Sequence, residues 1–153
     1  MNFLFFALST SNMLYDTSIR DKNTKREIDA HVGKQYGFME VLKNGTIGSS
    51  RMEVVEYSKL FSKVMEHRKQ AVFANIALRP NGILVIVNIR LSNYSWVIPY
   101  HYLSIFKTNL LVIHGQGEYL KLKITGDQNK KLIDKMLARK NDMFLSSQNP
   151  NMG

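Results

Sequence analysis

The sequence predicts an α+β domain, in which N-terminal helices precede a curled antiparallel β-meander closed by a C-terminal amphipathic helix. Two observations predict this class. Apolar residues recur every three or four positions before residue 70 and after residue 126, whereas they alternate with other residues between those limits. The length of 153 residues fits one domain, and an apolar content of 44% is sufficient to build a core.

The N-terminal part is predicted to be helical because it contains two capping boxes, at residues 24–27 and 50–53. Behind the first box, apolar residues follow helical spacing from Ile28 to Leu42, and the Asn-Gly pair at 44–45 offers a stop. Behind the second, the series that begins at Val54 and Tyr57 predicts an amphipathic helix to about residue 68.

Short strands are predicted from residue 71 onward. They cover residues 71–78, 83–90, 96–100, 103–107, 110–114 and 118–124, and residues 91–95 are expected to form a turn. The first hairpin closes at Arg79-Pro-Asn-Gly82, where Pro presets one backbone angle and Gly accepts a positive one. Pro99 cannot donate to a ladder, so its strand ends there or lies at an edge.

Residues 127–140 predict a last helix whose apolar stripe belongs to the core: Leu132, Ile133, Met136 and Leu137. The predicted organisation is therefore an N-terminal helical extension over residues 1–69, packed on a domain of residues 70–140, with a flexible tail at 141–153. Residues 1–8 are strongly apolar, and they can be an anchor, a strand or a signal remnant.

The order of strands and helix over residues 70–140 resembles the pleckstrin-homology-like (PH-like) superfold in its small bacterial form. The resemblance rests on the hairpin around residues 79–82, the strand 96–100 leading into 103–106, the hairpin 115–124 and the C-terminal helix. It implies a partial barrel that binds a partner without catalysis. Because the first hairpin loop offers only Arg79 as a cation, the resemblance implies a protein partner more than a phosphoinositide.

The charge is uneven along the chain and favours an anionic partner. Of the net +9, most comes from residues 51–126, which hold ten basic and four acidic residues. Aromatic residues lie among these cations, although Trp96 and Phe106 are expected to fill the core. The candidate surface for an anionic partner is Arg90, Lys107, Tyr119, Lys121, Lys123, Lys131 and Lys135.

No pattern in the sequence predicts catalysis, a metal site or a cofactor. Cys is absent, the four His are scattered, and Glu118 is the only acid in residues 71–126. Without a basic residue before the apolar start, a cytoplasmic location is expected, with or without membrane association.

Three binding functions remain open. The first is a non-catalytic scaffold domain with an unknown protein partner, and a homo-oligomer is compatible with it. The second is peripheral binding to an anionic membrane surface, aided by residues 1–8. The third is single-stranded nucleic-acid binding through a basic and aromatic sheet face.

Overall fold

An antiparallel sheet lies at the centre of the computed structural model, which describes residues 13–66 and 70–148. In these residues the sheet has eight strands, with helices before it and a long helix after it, so the predicted α+β class is confirmed. The strands are β1 (Leu14–Asp16), β2 (Met52–Tyr57), β3 (Phe73–Arg79), β4 (Gly82–Ile89), β5 (Ser92–Pro99), β6 (Leu103–Lys107), β7 (Leu110–Gly115) and β8 (Glu118–Lys123). The helices are α1 (Lys22–Val32), α2 (Phe38–Asn44), α3 (Ser62–Met65) and α4 (Asp127–Gln148), with 3-10 turns at Lys59–Phe61 and Tyr100–Tyr102.

The strands lie in the order β1-β5-β4-β3-β2-β8-β7-β6. Strands β2 to β5 form one meander and β6 to β8 form a second, and β2 joins them by pairing with both β3 and β8. The sheet is open and not strongly curled, because β1 and β6 end the order and do not pair with each other. The sheet therefore does not close into the predicted partial barrel.

Most of the predicted hairpins are present. The Arg79–Gly82 turn joins β3 to β4, and Gln116 and Gly117 turn β7 into β8 with φ of 51° and 84°. The expected turn at residues 91–95 is wrong, since β5 already begins at Ser92 and the chain reverses at Arg90 and Leu91. Arg90 takes the positive φ, 56°, that such a tight reversal needs.

The two faces of the sheet are covered by different helices. Leu132, Ile133 and Met136 of α4 are at most 1% exposed and join the main core, so the predicted stripe is confirmed there, with Leu137 half-buried beside it. We call this side of the sheet the α4 face. On the other side, Ile28 and Val32 of α1 pack on β4 and β5 in a second core cluster. We call that side the α1 face.

The helix expected over residues 50–68 is wrong. Residues 52–57 form β2, in the middle of the sheet, and only short helical turns follow from Lys59 to Met65. Met52 and Val54 are buried and Glu53 is not, which is the alternation of a strand. Pairing on both sides with β3 and β8 outweighs a helical spacing that local sequence alone would favour.

The first predicted helix is divided into α1 and α2. Gly33 ends α1 with φ of 86°, a conformation that favours glycine, and its N–H bonds the Asp29 carbonyl. The helix begins after Asp21, whose side chain accepts from the Asn23 N–H, whereas Thr24 donates its hydroxyl to Asp21. The capping residue is therefore three positions earlier than predicted.

The C-terminal helix is longer than predicted, because α4 continues to Gln148 through part of the expected tail. The expectations for residues 1–8 and for the last five residues fall outside the described part of the chain.

Candidate binding surface

The seven residues of the predicted anionic-partner surface do not form one patch. Arg90 is in the β4–β5 turn, Lys107 points to the α4 side of the sheet, and Lys131 and Lys135 are on α4. The remaining three, on β8, alternate with the buried Leu120 and Leu122 and so face away from α4: Tyr119, Lys121 and Lys123.

Two of these lysines are held by carboxylates. Lys107 Nζ lies 2.9 Å from Asp134 Oδ1 of α4, and Lys121 Nζ lies 2.5 Å from Glu56 Oε2 of β2. The hydrogen bond and the charge of Glu56 raise the pKa of Lys121. Exposed pairs of this kind contribute little to stability, so a partner can exchange for the carboxylate at small cost.

Lys135 has a structural role. Its ammonium group donates to the backbone carbonyls of Asn44 and Thr46, and so holds the end of α2 against α4. Partial burial, together with the charge of Arg139, lowers the pKa of Lys135. Lys135 therefore serves to satisfy carbonyl groups within the chain.

A row of aromatic rings crosses the β6–β8 part of the sheet on the side away from α4. The rings of Phe106 and His114 lie 5.7 Å apart edge to face, and those of His114 and Tyr119 lie 5.6 Å apart. Lys121 Nζ lies 5.9 Å from the centre of the Tyr119 ring. We call Phe106, His114 and Tyr119 the aromatic face.

The prediction that Phe106 fills the core is wrong, since its side chain is 57% exposed, whereas Trp96, at 2%, is buried as expected. The alternation of apolar and polar side chains along β6 could have predicted that Phe106 is exposed. Leu103 and Ile105 face α4, so Phe106 must share the opposite side with Ser104.

Strand β6 is an edge strand in the part of the chain that the structure describes, where it pairs only with β7. An edge strand presents backbone N–H and C=O groups that have no partner in the sheet. Tyr102, immediately before β6, is 48% exposed, so two aromatic side chains, Tyr102 and Phe106, flank this edge.

Helix α4 runs antiparallel to the segment that contains β6. Asp134 contacts Lys107 at one end, and Lys140 Nζ lies 2.6 Å from the Tyr100 carbonyl oxygen at the other. Residues three, seven and ten positions beyond Asp134 lie on the same side of a helix. These are Leu137, Asn141 and Phe144, of which Phe144 is 55% exposed.

Glu118 has a local structural role. Its carboxylate accepts from the Ser58 hydroxyl and from the Leu60 N–H at 3.1 Å, which anchors the turn after β2.

Among residues 13–66 and 70–148, no three His, Asp or Glu side chains gather as a metal site would require. No helix in those ranges has the length and apolar character to span a membrane. Comparison of the chain with known protein families, with curated proteins and with solved structures finds no match.

Proposed function

We propose that this chain is a non-catalytic binding domain whose partner is an extended peptide segment of another protein. The segment adds as a further strand along β6. The main observation that supports this proposal is the open edge of β6, which has the Phe106 side chain on one side of the sheet and α4 on the other. Added strands of this kind gain affinity from main-chain hydrogen bonds and specificity from pockets for alternate side chains.

The two sides of β6 supply those contacts. Side chains of the peptide on one side would meet Phe106 and, beyond it, the rest of the aromatic face. Side chains on the other side would meet α4 between Asp134 and Lys140, where the half-buried Leu137 offers apolar contact. The proposal therefore favours a segment with apolar or aromatic residues at alternate positions.

The order of elements supports a PH-like origin for this arrangement, which we include in the proposal. Strands β2 to β8 form a meander of four and a meander of three, and α4 follows them. The open sheet departs from the partial barrel of that superfold.

The test is selection of extended peptides from a random displayed library against the full chain. We expect Phe106→Glu to lower the affinity for the selected peptides by roughly tenfold or more, because the substitution places a charge where an aromatic contact is made. Phe38→Glu is the matched control, since Phe38 of α2 is also exposed, at 77%, and lies outside the proposed site. Hydrogen exchange with bound peptide should slow at β6 amides. Peptides that bind Phe106→Glu as tightly as the parent would contradict the proposal.

Single-stranded nucleic acid is the second candidate function, and the aromatic face is the observation that favours it. Bases can stack on exposed rings, and Lys121 and Lys123 lie on the same side of β8. It ranks second because Lys121 is paired with Glu56 and Lys107 is turned toward α4. Gel shifts with single-stranded DNA and RNA at low and near-physiological salt would decide. Binding that survives the higher salt and is lost in Tyr119→Ala would favour nucleic acid over peptide.

A further inference from the structure

A cleft of about 660 Å³ lies between α1 and the α1 face of the sheet, at the opposite end of the strand order from β6. Its walls are the loop of residues 17–21, the beginning of α1, and the side chains of Leu84 and Ser95 on β4 and β5. Its volume is within the range of roughly 300–1,000 Å³ that is usual for small-molecule sites.

Part of the cleft is apolar. Ile28 of α1 and Leu84 of β4 are 5% and 6% exposed, and they belong to the core cluster beneath α1. Ile19, in the loop above, is 83% exposed. An apolar body placed in the cleft would therefore cover Ile19 and rest on side chains that are already buried.

The charged groups around the cleft are mainly cations: Arg20, Lys22, Lys25 and Arg79. Among the described residues that line the cleft, the one carboxylate is that of Asp21, which caps α1 and accepts from the Asn23 N–H and the Thr24 hydroxyl. Asp29, behind the cleft, pairs with Arg79 and Lys25. Four cations against two carboxylates leave the site with a net positive charge.

Arg79 is the central cation of the cleft and is only 9% exposed. Its Nη1 donates to Asp29 Oδ1 at 2.9 Å and to the Gly33 carbonyl at 2.8 Å, which fixes the guanidinium plane. Both bonds use Nη1, so the N–H groups of Nη2 and Nε remain for a ligand. A guanidinium edge of this form matches the two oxygens of a carboxylate or phosphate.

We propose that this cleft binds a small amphipathic anion, with its carboxylate or phosphate group at Arg79 and Lys25 and its apolar body over Leu84 and Ile28. The site is independent of the peptide site at β6, because it uses different strands and the other end of the sheet order. The chain would then carry two binding sites, one for a peptide and one for a small ligand.

The test is titration of the isotope-labelled full chain with three probes, decanoate, decyl phosphate and decanol, followed by amide chemical shifts. We expect saturable shifts at residues 17–28 and around Arg79, Leu84 and Ser95 with one or both anions, and weaker binding of decanol. The two anionic arms distinguish a carboxylate ligand from a phosphate ligand.

Variants make the test specific. Arg79→Gln would leave Asp29 without its main partner and endangers folding, so the double variant Arg20→Gln/Lys25→Gln is preferred. It should weaken anion binding roughly tenfold, the loss of charge-assisted hydrogen bonds. Lys123→Gln/Lys131→Gln removes the same charge away from the cleft and should change the affinity less than about twofold.

Four results would overturn the proposal. They are decanol binding as tightly as the anions, equal losses in the two double variants, shifts centred on the aromatic face or on α2, and absence of saturable binding at millimolar probe.

Discussion

Ser50 and Asn129 are joined by two hydrogen bonds across 79 positions of the chain. The Ser50 N–H donates to Asn129 Oδ1, and Asn129 Nδ2 donates to the Ser50 hydroxyl, each at 3.0 Å. Asn129 is only 1% exposed, so its amide is satisfied within the protein. The pair fixes the beginning of α4 against the segment that enters β2, the strand that links the two meanders.

Asn129→Leu should lower the free energy of unfolding by about 1–3 kcal/mol, because it leaves the Ser50 N–H without its acceptor. Urea denaturation of the variant and the parent measures the loss. Asn141→Ala, at an exposed position of the same helix, should change stability by less than about 0.5 kcal/mol. Equal midpoints for Asn129→Leu and the parent would show that the two hydrogen bonds contribute nothing net.

Met136→Asp should leave little folded protein. Met136 is fully buried among the residues that join α4 to the sheet, and an unpaired carboxylate there costs several kcal/mol. Met143→Asp is the control on the same helix, at a side chain 37% exposed, and it should fold. Thermal melting followed by circular dichroism compares them. A Met136→Asp variant that melts with the parent would mean that α4 is not part of the core.

The elements that the sequence predicted well are those specified by neighbouring residues. The hairpins that join β3 to β4, β6 to β7 and β7 to β8 combine alternating apolar residues with Gly or Asn turns, and α4 has its own stripe. Strand β2 could not be found in this way, because its partners in β8 lie more than 60 positions away. Strand β1 has only three residues and exists through its pairing with β5.

The candidate sites were harder to predict for the same reason. Alternation within β6 predicts which side Phe106 occupies, but the open edge of β6 depends on the order of all the strands. Arg79 was predicted as a loop cation, whereas α1 lies over the end of β3 and buries it against Asp29. Such a cleft forms between elements distant in sequence, so no local pattern specifies it.

Gly82→Ala should destabilise the protein by about 1–3 kcal/mol through overpacking. A Cβ at this position would lie 2.6 Å from Val32 Cγ1 of α1 and even closer to the Ile98 carbonyl oxygen. The backbone of β5 cannot move away without losing its hydrogen bonds to β4. The added methyl group would therefore push α1 away from the sheet, and the loss of this packing lowers the free energy of unfolding. Differential scanning calorimetry gives the loss.

Gly37→Ala is the control for Gly82→Ala, because the nearest atom to its new Cβ is Glu40 Oε1 at 3.6 Å and its φ is −76°. It should cost less than about 1 kcal/mol, the usual difference between these residues at a helix cap. If both alanine variants melt at the same temperature, the packing of α1 on β4 is looser than the structure describes.

Asp29→Asn should lower stability near neutral pH, and the difference from the parent should shrink in acid. Burial on its own raises the pKa of Asp29, but hydrogen bonds from Arg79 and Lys25 outweigh it and hold the pKa below the ordinary value of 3.8. A carboxyl group with a depressed folded pKa stabilises the protein fully above its unfolded pKa, and this contribution is lost as pH falls through the folded pKa.

Urea midpoints at about pH 6 and about pH 2.5 would measure this dependence. At the higher pH the free energy of unfolding of the parent should exceed that of Asp29→Asn by about 1.5–3 kcal/mol, which is the range for hydrogen bonds to a charged group. Near the lower pH the two proteins should converge, because Asp29 is then becoming protonated and its charge no longer holds Arg79. Asp134→Asn, which removes the exposed pair with Lys107, should cost less than about 1 kcal/mol at either pH. A gap between parent and Asp29→Asn that stays constant or widens in acid would contradict a stabilising Asp29 carboxylate.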